Sequence, residues 1–287
     1  MDFRSIAMGL AFALMWSSAF SSARIIVADA PPMLSLSLRF LLSGLIGIAI
    51  ARAMGQTWRL THGQWRATIV FGVCQNALYL GLFFIAMQKV EASLAAIIAS
   101  SMPLIVGLAG WLIYGERIGR LGIVGLIAGL GGVLMIMGTR LSGGVDPVGI
   151  GLCLIGVLAL SFATLAVRGA SSGGNVVMVV GLQMLVGSAC LAVAGIVLES
   201  PDFTPSWTLA AAFAYTTLVP GLLATLVWFW LVGRIGAVRA ATFHFLNPFF
   251  GVAIAAVLLG ETMTALDVVG VVIITFAILA VQVSKQR

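Results

Sequence analysis

Residues 89–125 recur without a gap at residues 234–270, and this duplication constrains the fold more than any other feature of the chain. A shift of 145 positions superposes Phe84 on Phe229, Lys89 on Arg234, Ala92 on Ala237, Pro103 on Pro248, Gly115-Glu116 on Gly260-Glu261 and Gly125 on Gly270. The repeated stretches are almost wholly apolar, so the duplicated unit is a set of membrane helices. With 61% hydrophobic and 8% charged residues among 287, and a mean hydropathy of +1.17, the chain has too little polar surface to cover a soluble globule. Its 34 glycines suit a bilayer interior, where small residues let helix backbones approach closely. Gly122, Gly125, Gly129 and Gly132 form one such stripe.

A membrane-spanning helix needs about 20 mostly apolar residues. Runs of that kind, bounded by charges, prolines or polar turns, fall at 6–27, 34–51, 65–87, 92–114, 121–138, 148–167, 176–198, 207–232, 237–259 and 268–283. Ten spans divide into two five-helix repeats, 1–140 and 147–287. Five is odd, so the second repeat enters the membrane from the side opposite to the first, and the repeats are inverted. The first run starts too close to Met1 to ignore a signal peptide, but its length, Trp16, Arg24 and lack of a small-residue cleavage site read as a retained helix. The short connections leave no room for an extramembrane catalytic or nucleotide-binding domain, and no Walker-type glycine loop is present.

Placing the N-terminus in the cytoplasm puts 11 of the 15 Lys and Arg residues on that side, three outside and Arg39 within a span. Both termini are therefore expected to be cytoplasmic, in an integral protein of a bacterial inner membrane. The net charge of +6 is then a topology signal, and no nucleic-acid partner is needed to explain it. Cys74, Cys153 and Cys190 lie inside spans without CxxC spacing or clustered His, which reads as packing and predicts neither disulfide, metal nor other cofactor. Bilayer lipid and a small solute are the expected partners. The oligomeric state stays open, a monomer included.

An ionisable side chain within hydrocarbon costs roughly 2.5–3.5 kcal/mol, so it should face a cavity or a partner. Arg39 and His244 are the clearest cases. Arg39 reads either as the counter-charge for a substrate carboxylate or phosphate, or as an Arg bonded to helix-end carbonyls or an acidic group. Polar residues also fall on single helical faces: Ser17, Ser21 and Arg24 beside Trp16 and Phe20; Gln75, Asn76, Tyr79 and Phe83; Ser161, Thr164 and Arg168; His244, Asn247 and Pro248. Such faces suit a zwitterion with an apolar or aromatic body, and equally suit hydrogen bonds between helices. Of Trp228 and Trp230, two apart, at most one can line a cavity. The candidate binding set is Trp16, Ser17, Phe20, Arg39, Gln75, Asn76, Tyr79, Ser100, Ser161, Trp228, His244 and Asn247. Pro103, Pro220 and Pro248 lie within spans and read as hinges or as static kinks. Every Asp and Glu falls near a span end, so proton coupling through a mid-membrane carboxylate is not expected. An intramembrane enzyme is not expected either, because His244 has no acidic partner at its depth.

The segment Trp16-Ser17-Ser18-Ala19-Phe20, then Pro31-Pro32 and Leu38-Arg39-Phe40, with a Pro twelve residues before each Gly-Glu pair, resembles the EamA-type branch of the drug/metabolite transporter superfamily. The resemblance covers essentially the whole chain. It implies an all-α polytopic membrane protein, ten transmembrane helices as two inverted five-helix repeats around a central cavity, that moves small metabolites by alternating access or facilitated diffusion. Bacterial exporters of aromatic and other amino acids are the nearest functional relatives it implies, with nucleotide-sugar or sugar-phosphate carriers as a more distant alternative. Small multidrug antiporters of the same superfamily carry an essential Glu in their first helix; this chain has Leu14, Met15 and Trp16 there, which argues against cationic drugs. A structural or receptor membrane protein is the remaining alternative, but it gives no reason for an inverted duplication.

Overall fold

The apolar runs become helices where a nearby group can satisfy the free N–H groups of a first turn. Asp2 accepts from Ser5 N ahead of α1 (Phe3–Asp29). Pro32 opens α2 (Pro32–Ala53), at a position where its missing N–H has no helical acceptor to lose. Thr61 and Gln64 form a capping box before α3 (His62–Ala86). The chain continues through α4 (Ala92–Leu112), α5 (Arg120–Ser142), α6 (Pro147–Ala166), α7 (Val176–Leu198), α8 (207–235), α9 (Asn247–Leu259) and α10 (Ala265–Ser284). This computed structural model describes residues 2–113, 115, 119–166, 173–235, 240 and 242–284; Glu116, Arg168 and the expected start of the ninth span at Ala237 lie outside them. Eight helices are long and apolar enough to cross a membrane, and two shorter apolar ones, Phe243–Leu259 and Ala265–Val281, complete the ten.

Departures from regular α-helix fall at matching places in the two halves. The middle of α3 is π-helical over Gly72–Tyr79 and the middle of α8 over Thr217–Leu223, and the 145-residue shift carries position 72 onto 217. The spans expected to run unbroken over 92–114 and 237–259 are interrupted. α4 breaks at Ser100–Ser101 into Ala92–Ala99 and Met102–Leu112, and α9 is entered through a 3-10 turn, Thr242–Leu246. Pro103 and Pro248 explain the interruptions: each lies in the first turn of the second segment, where its ring is tolerated, and the preceding segment ends instead of running through it.

Equivalent helices of the two halves pack antiparallel, as inversion requires. Where α2 meets α7, Ser37 Oγ donates to Ser188 O at 2.9 Å and Ser188 Oγ donates to Ser37 O at 2.8 Å. A turn or two further along, Gly44 and Gly181 face each other so closely that a Cβ on either would lie 3.0 Å from the other's carbonyl oxygen. α5 runs against α10 in the same sense: Gly125 lies against Ala277 and Ala280, and Gly132 against Ile273 and Ile274.

The halves are also tied at their ends by charge. On one face Arg234 of α8 pairs with Asp2, the cap of α1; on the other, Lys89 after α3 pairs with Asp146, which caps α6, at 3.1 Å. The shift of 145 maps Lys89 onto Arg234 and carries Asp2 to within one position of Asp146, and both Asp residues cap the first helix of a half, so the two contacts correspond. Bonds from Arg234 and Ser5 hold the Asp2 carboxyl well below the usual carboxylate range, and the Gly149 N–H with Lys89 lowers that of Asp146. Three helix starts are capped from the opposite half. Glu199 accepts from Met33 N and Leu34 N, Gln56 from Met178 N, and Glu261 from Ala92 N and Ser93 N.

Candidate functional site

A cavity of about 610 Å³ lies between the halves, bounded by α1–α4 and α6–α9. It reaches the helix ends on one face, at Gln64 in α3, Thr164 in α6 and Val176 in α7. Toward the other face it stops at Phe20, Arg39 and Leu80, each at least six residues from the nearer helix end, or roughly 10 Å at 1.5 Å per residue. The open end therefore lies on the side of the α2–α3 and α6–α7 connections. Arg24, which the sequence puts near the closed side, donates from its guanidinium to the Met87 carbonyl at the end of α3.

The interruptions described above place the polar groups. The π-helical part of α3 turns Gln75, Asn76 and Tyr79 onto the wall together, and the break in α4 exposes Ser100, Met102 and Pro103. Gly187 of α7 permits the close approach to α3: a Cβ there would lie 2.4 Å from Asn76 Cβ. Asn76 Nδ2 donates to the main-chain carbonyl of Gln183 at 2.9 Å, so Asn76 joins α3 to α7 while lining the cavity. Tyr79 is 3% exposed and packs its ring on Phe83 at 4.6 Å; its hydroxyl has no hydrogen-bond partner among the described residues.

Arg39 is 6% exposed and forms no ion pair among the described residues. Its Nε donates to Thr216 O at 3.2 Å, and its guanidinium lies over the Phe40 ring, 5.2 Å from the centroid. Thr216 directly precedes the π-helical segment of α8, which holds Pro220, so the Arg39 bond ties α2 to α8 where the latter leaves regular α-helix. The helix-carbonyl reading of Arg39 thus accounts for one of its donors. The acidic partner does not appear among the described residues.

Toward the open end, Phe12, Trp16, Trp228 and His244 form an aromatic cluster. Phe12 lies 4.7 Å from Trp228 and 5.2 Å from His244, and Trp228 lies 5.1 Å from His244. The Asn247 side-chain amide is hydrogen-bonded to the His244 ring at Nδ1, 2.9 Å away. Trp230 points outward at 62% exposure, leaving Trp228 as the cavity Trp of that pair.

Of the candidate set, the structure brings Trp16, Phe20, Arg39, Gln75, Asn76, Tyr79, Ser100, Trp228, His244 and Asn247 onto one wall. Ser17 and Ser161 stand behind it. Ser17 Oγ donates to the Asn247 carbonyl, and Ser161 Oγ to Val157 in its own helix. Ser100, Thr164 and Thr225 likewise donate to the carbonyl four residues back, a use of hydroxyls distinct from both solute binding and interhelical bonding. Pro103 and Pro220 line the cavity and Pro248 does not. Sequence reasoning missed Phe12, Gln64 and Gln183. A lone amide within the apolar run 176–198 was the available signal for Gln183.

The chain is similar to the uncharacterized transporter YvbV of Bacillus subtilis (26% identity, covering 95% of this chain and 90% of that one) and to the uncharacterized inner membrane transporter YedA of Escherichia coli K12 (27%, covering 96% and 90%). It is also similar to a probable amino-acid metabolite efflux pump of Salmonella typhimurium (26%, covering 93% and 91%). A crystal structure of another protein superposes over 100% of this chain and 99% of its own, with a TM-score of 0.70 at 21% identity, which shows the shared fold. The EamA-like transporter profile matches twice, over residues 3–138 and 147–282, and this ten-helix membrane protein belongs to the EamA-like transporter family.

Proposed function

We propose that the protein moves small metabolites of the amino-acid type, carboxylates with an apolar or aromatic body, through the cavity between its halves. The observation that carries this reading is Arg39: a buried cation without an acidic partner among the described residues, on the wall of a cavity otherwise built from aromatic rings and neutral polar groups. A carboxylate satisfies a guanidinium with paired hydrogen bonds, and the rings offer apolar contact to the rest of the solute. The volume falls within the roughly 300–1,000 Å³ of small-molecule sites. The Salmonella relative's name points to the same class and to export. A nucleotide-sugar, with two phosphate charges, is less well served by one Arg. The acidic residues described all lie at helix ends or in connections, which supports movement down the solute's own gradient.

Counterflow in liposomes tests the reading. Purified protein loaded with unlabelled solute should accumulate radiolabelled aromatic and branched carboxylates transiently and saturably, without an imposed pH gradient. Exchange of sugars or nucleotide-sugars with none of these carboxylates would overturn it.

A further inference from the structure

We infer that the cavity selects by charge, taking monoanionic carboxylates such as 2-oxo acids ahead of the zwitterionic amino acids of the same shape. This rests on the cavity being the transport site and narrows its solutes to one charge class. Arg39 supplies the only fixed charge among the described residues on the wall, since no Asp or Glu lines it. The described acidic residues are held elsewhere: Glu199 and Glu261 accept from helix starts, and Asp146 is bonded to Lys89. The guanidinium itself lies beside Gly221, where a Cβ would come within 3.5 Å of Nη2.

The two ends of an amino acid therefore meet unequal surroundings. Its carboxylate finds a cation already desolvated by the protein. Its ammonium finds no carboxylate among the described wall residues. Neutral oxygens of Gln75 and Gln183 can accept from it without cancelling its charge. His244 Nδ1 is already taken by Asn247. Contact with the Trp16 and Trp228 rings offsets only part of the desolvation of an ammonium. Removing the amino group removes that penalty and leaves the Arg39 pairing intact.

Phenylalanine, phenylpyruvate and phenylalaninamide share one body and carry zero, negative and positive net charge, so competition among them isolates the effect. In proteoliposomes, phenylpyruvate should compete for counterflow at least about tenfold better than phenylalanine, and the amide should compete least. An imposed membrane potential should change the rate of phenylpyruvate flux and leave phenylalanine flux unchanged. Arg39→Gln should erase the preference and Arg39→Lys retain it; if Arg39→Gln fails to fold, the charge series and the potential on the unaltered protein decide the matter. Phenylalanine competing as well as phenylpyruvate, or better, overturns the charge selection while leaving the proposed function standing. If neither moves although other solutes do, the proposed function falls and the inference with it.

Discussion

Tyr79 and Asn76 stand side by side on the cavity wall, yet their hydrogen bonds separate them. The Tyr79 hydroxyl has no partner among the described residues, whereas Asn76 is committed to the Gln183 carbonyl across a helix interface. A neutral hydrogen bond is worth on the order of 1 kcal/mol net. Tyr79→Phe should thus weaken apparent solute affinity several-fold at unchanged thermal stability. Asn76→Ala should lower stability by about 1 kcal/mol as well, because it unmakes the bond between α3 and α7. Competition assays beside thermal unfolding in detergent separate the two; a Tyr79→Phe protein with unaltered affinity would show that the hydroxyl does not touch solute. Arg39 and His244 were legible in the sequence because an ionisable group in an apolar run is costly wherever it lies. Ser17 and Ser161 were not separable from true wall residues, since a hydroxyl bonded to a neighbouring helix, as in Ser17, or within its own, as in Ser161, occupies the same face as one that points into a cavity.

At the level of elements, the caps cross between halves. Glu261, just after α9, holds the start of α4, and Glu199, after α7, holds the start of α2. A carboxylate at a helix start satisfies free N–H groups and meets the positive end of the dipole. Loss of a capping side chain costs roughly 0.5–2 kcal/mol, so Glu261→Ala and Glu199→Ala should each lower the unfolding temperature measurably. The corresponding Gln variants, which keep one acceptor oxygen, should lose less. An unchanged unfolding temperature for both Ala variants would show that water replaces the caps. The sequence placed Glu261 beside a helix end, but its partner lies 169 residues away, and only the folded chain reveals that separation. The helix count and the inversion were legible because apolar run lengths and an odd number of spans dictate them. The π-helical segments of α3 and α8 were not: a change from four to five residues between bonded groups alters neither composition nor run length, and only Pro220 marked one of the two.

For the whole molecule, inversion gives the two membrane faces matching closures made from different residues. Arg234–Asp2 on one face and Lys89–Asp146 on the other join the third helix of one half to the first helix of the other. The cavity breaks this equivalence, opening only beside the α2–α3 and α6–α7 connections. The Lys and Arg distribution predicts a cytoplasmic position for that open face, and with it an inward-open arrangement. In a background with Cys74, Cys153 and Cys190 replaced, Thr57→Cys and Gln64→Cys should react with an impermeant maleimide in inside-out vesicles and not in intact cells. Asp202→Cys, in the connection between α7 and α8, should show the opposite pattern. Reversal of all three patterns would overturn the cytoplasmic assignment. Labelling of Thr57→Cys and Asp202→Cys from the same side would be incompatible with α3 to α7 forming an odd number of crossings. Saturating carboxylate solute should slow labelling of Gln64→Cys without affecting Thr57→Cys, because only the former lines the cavity proposed as the transport route.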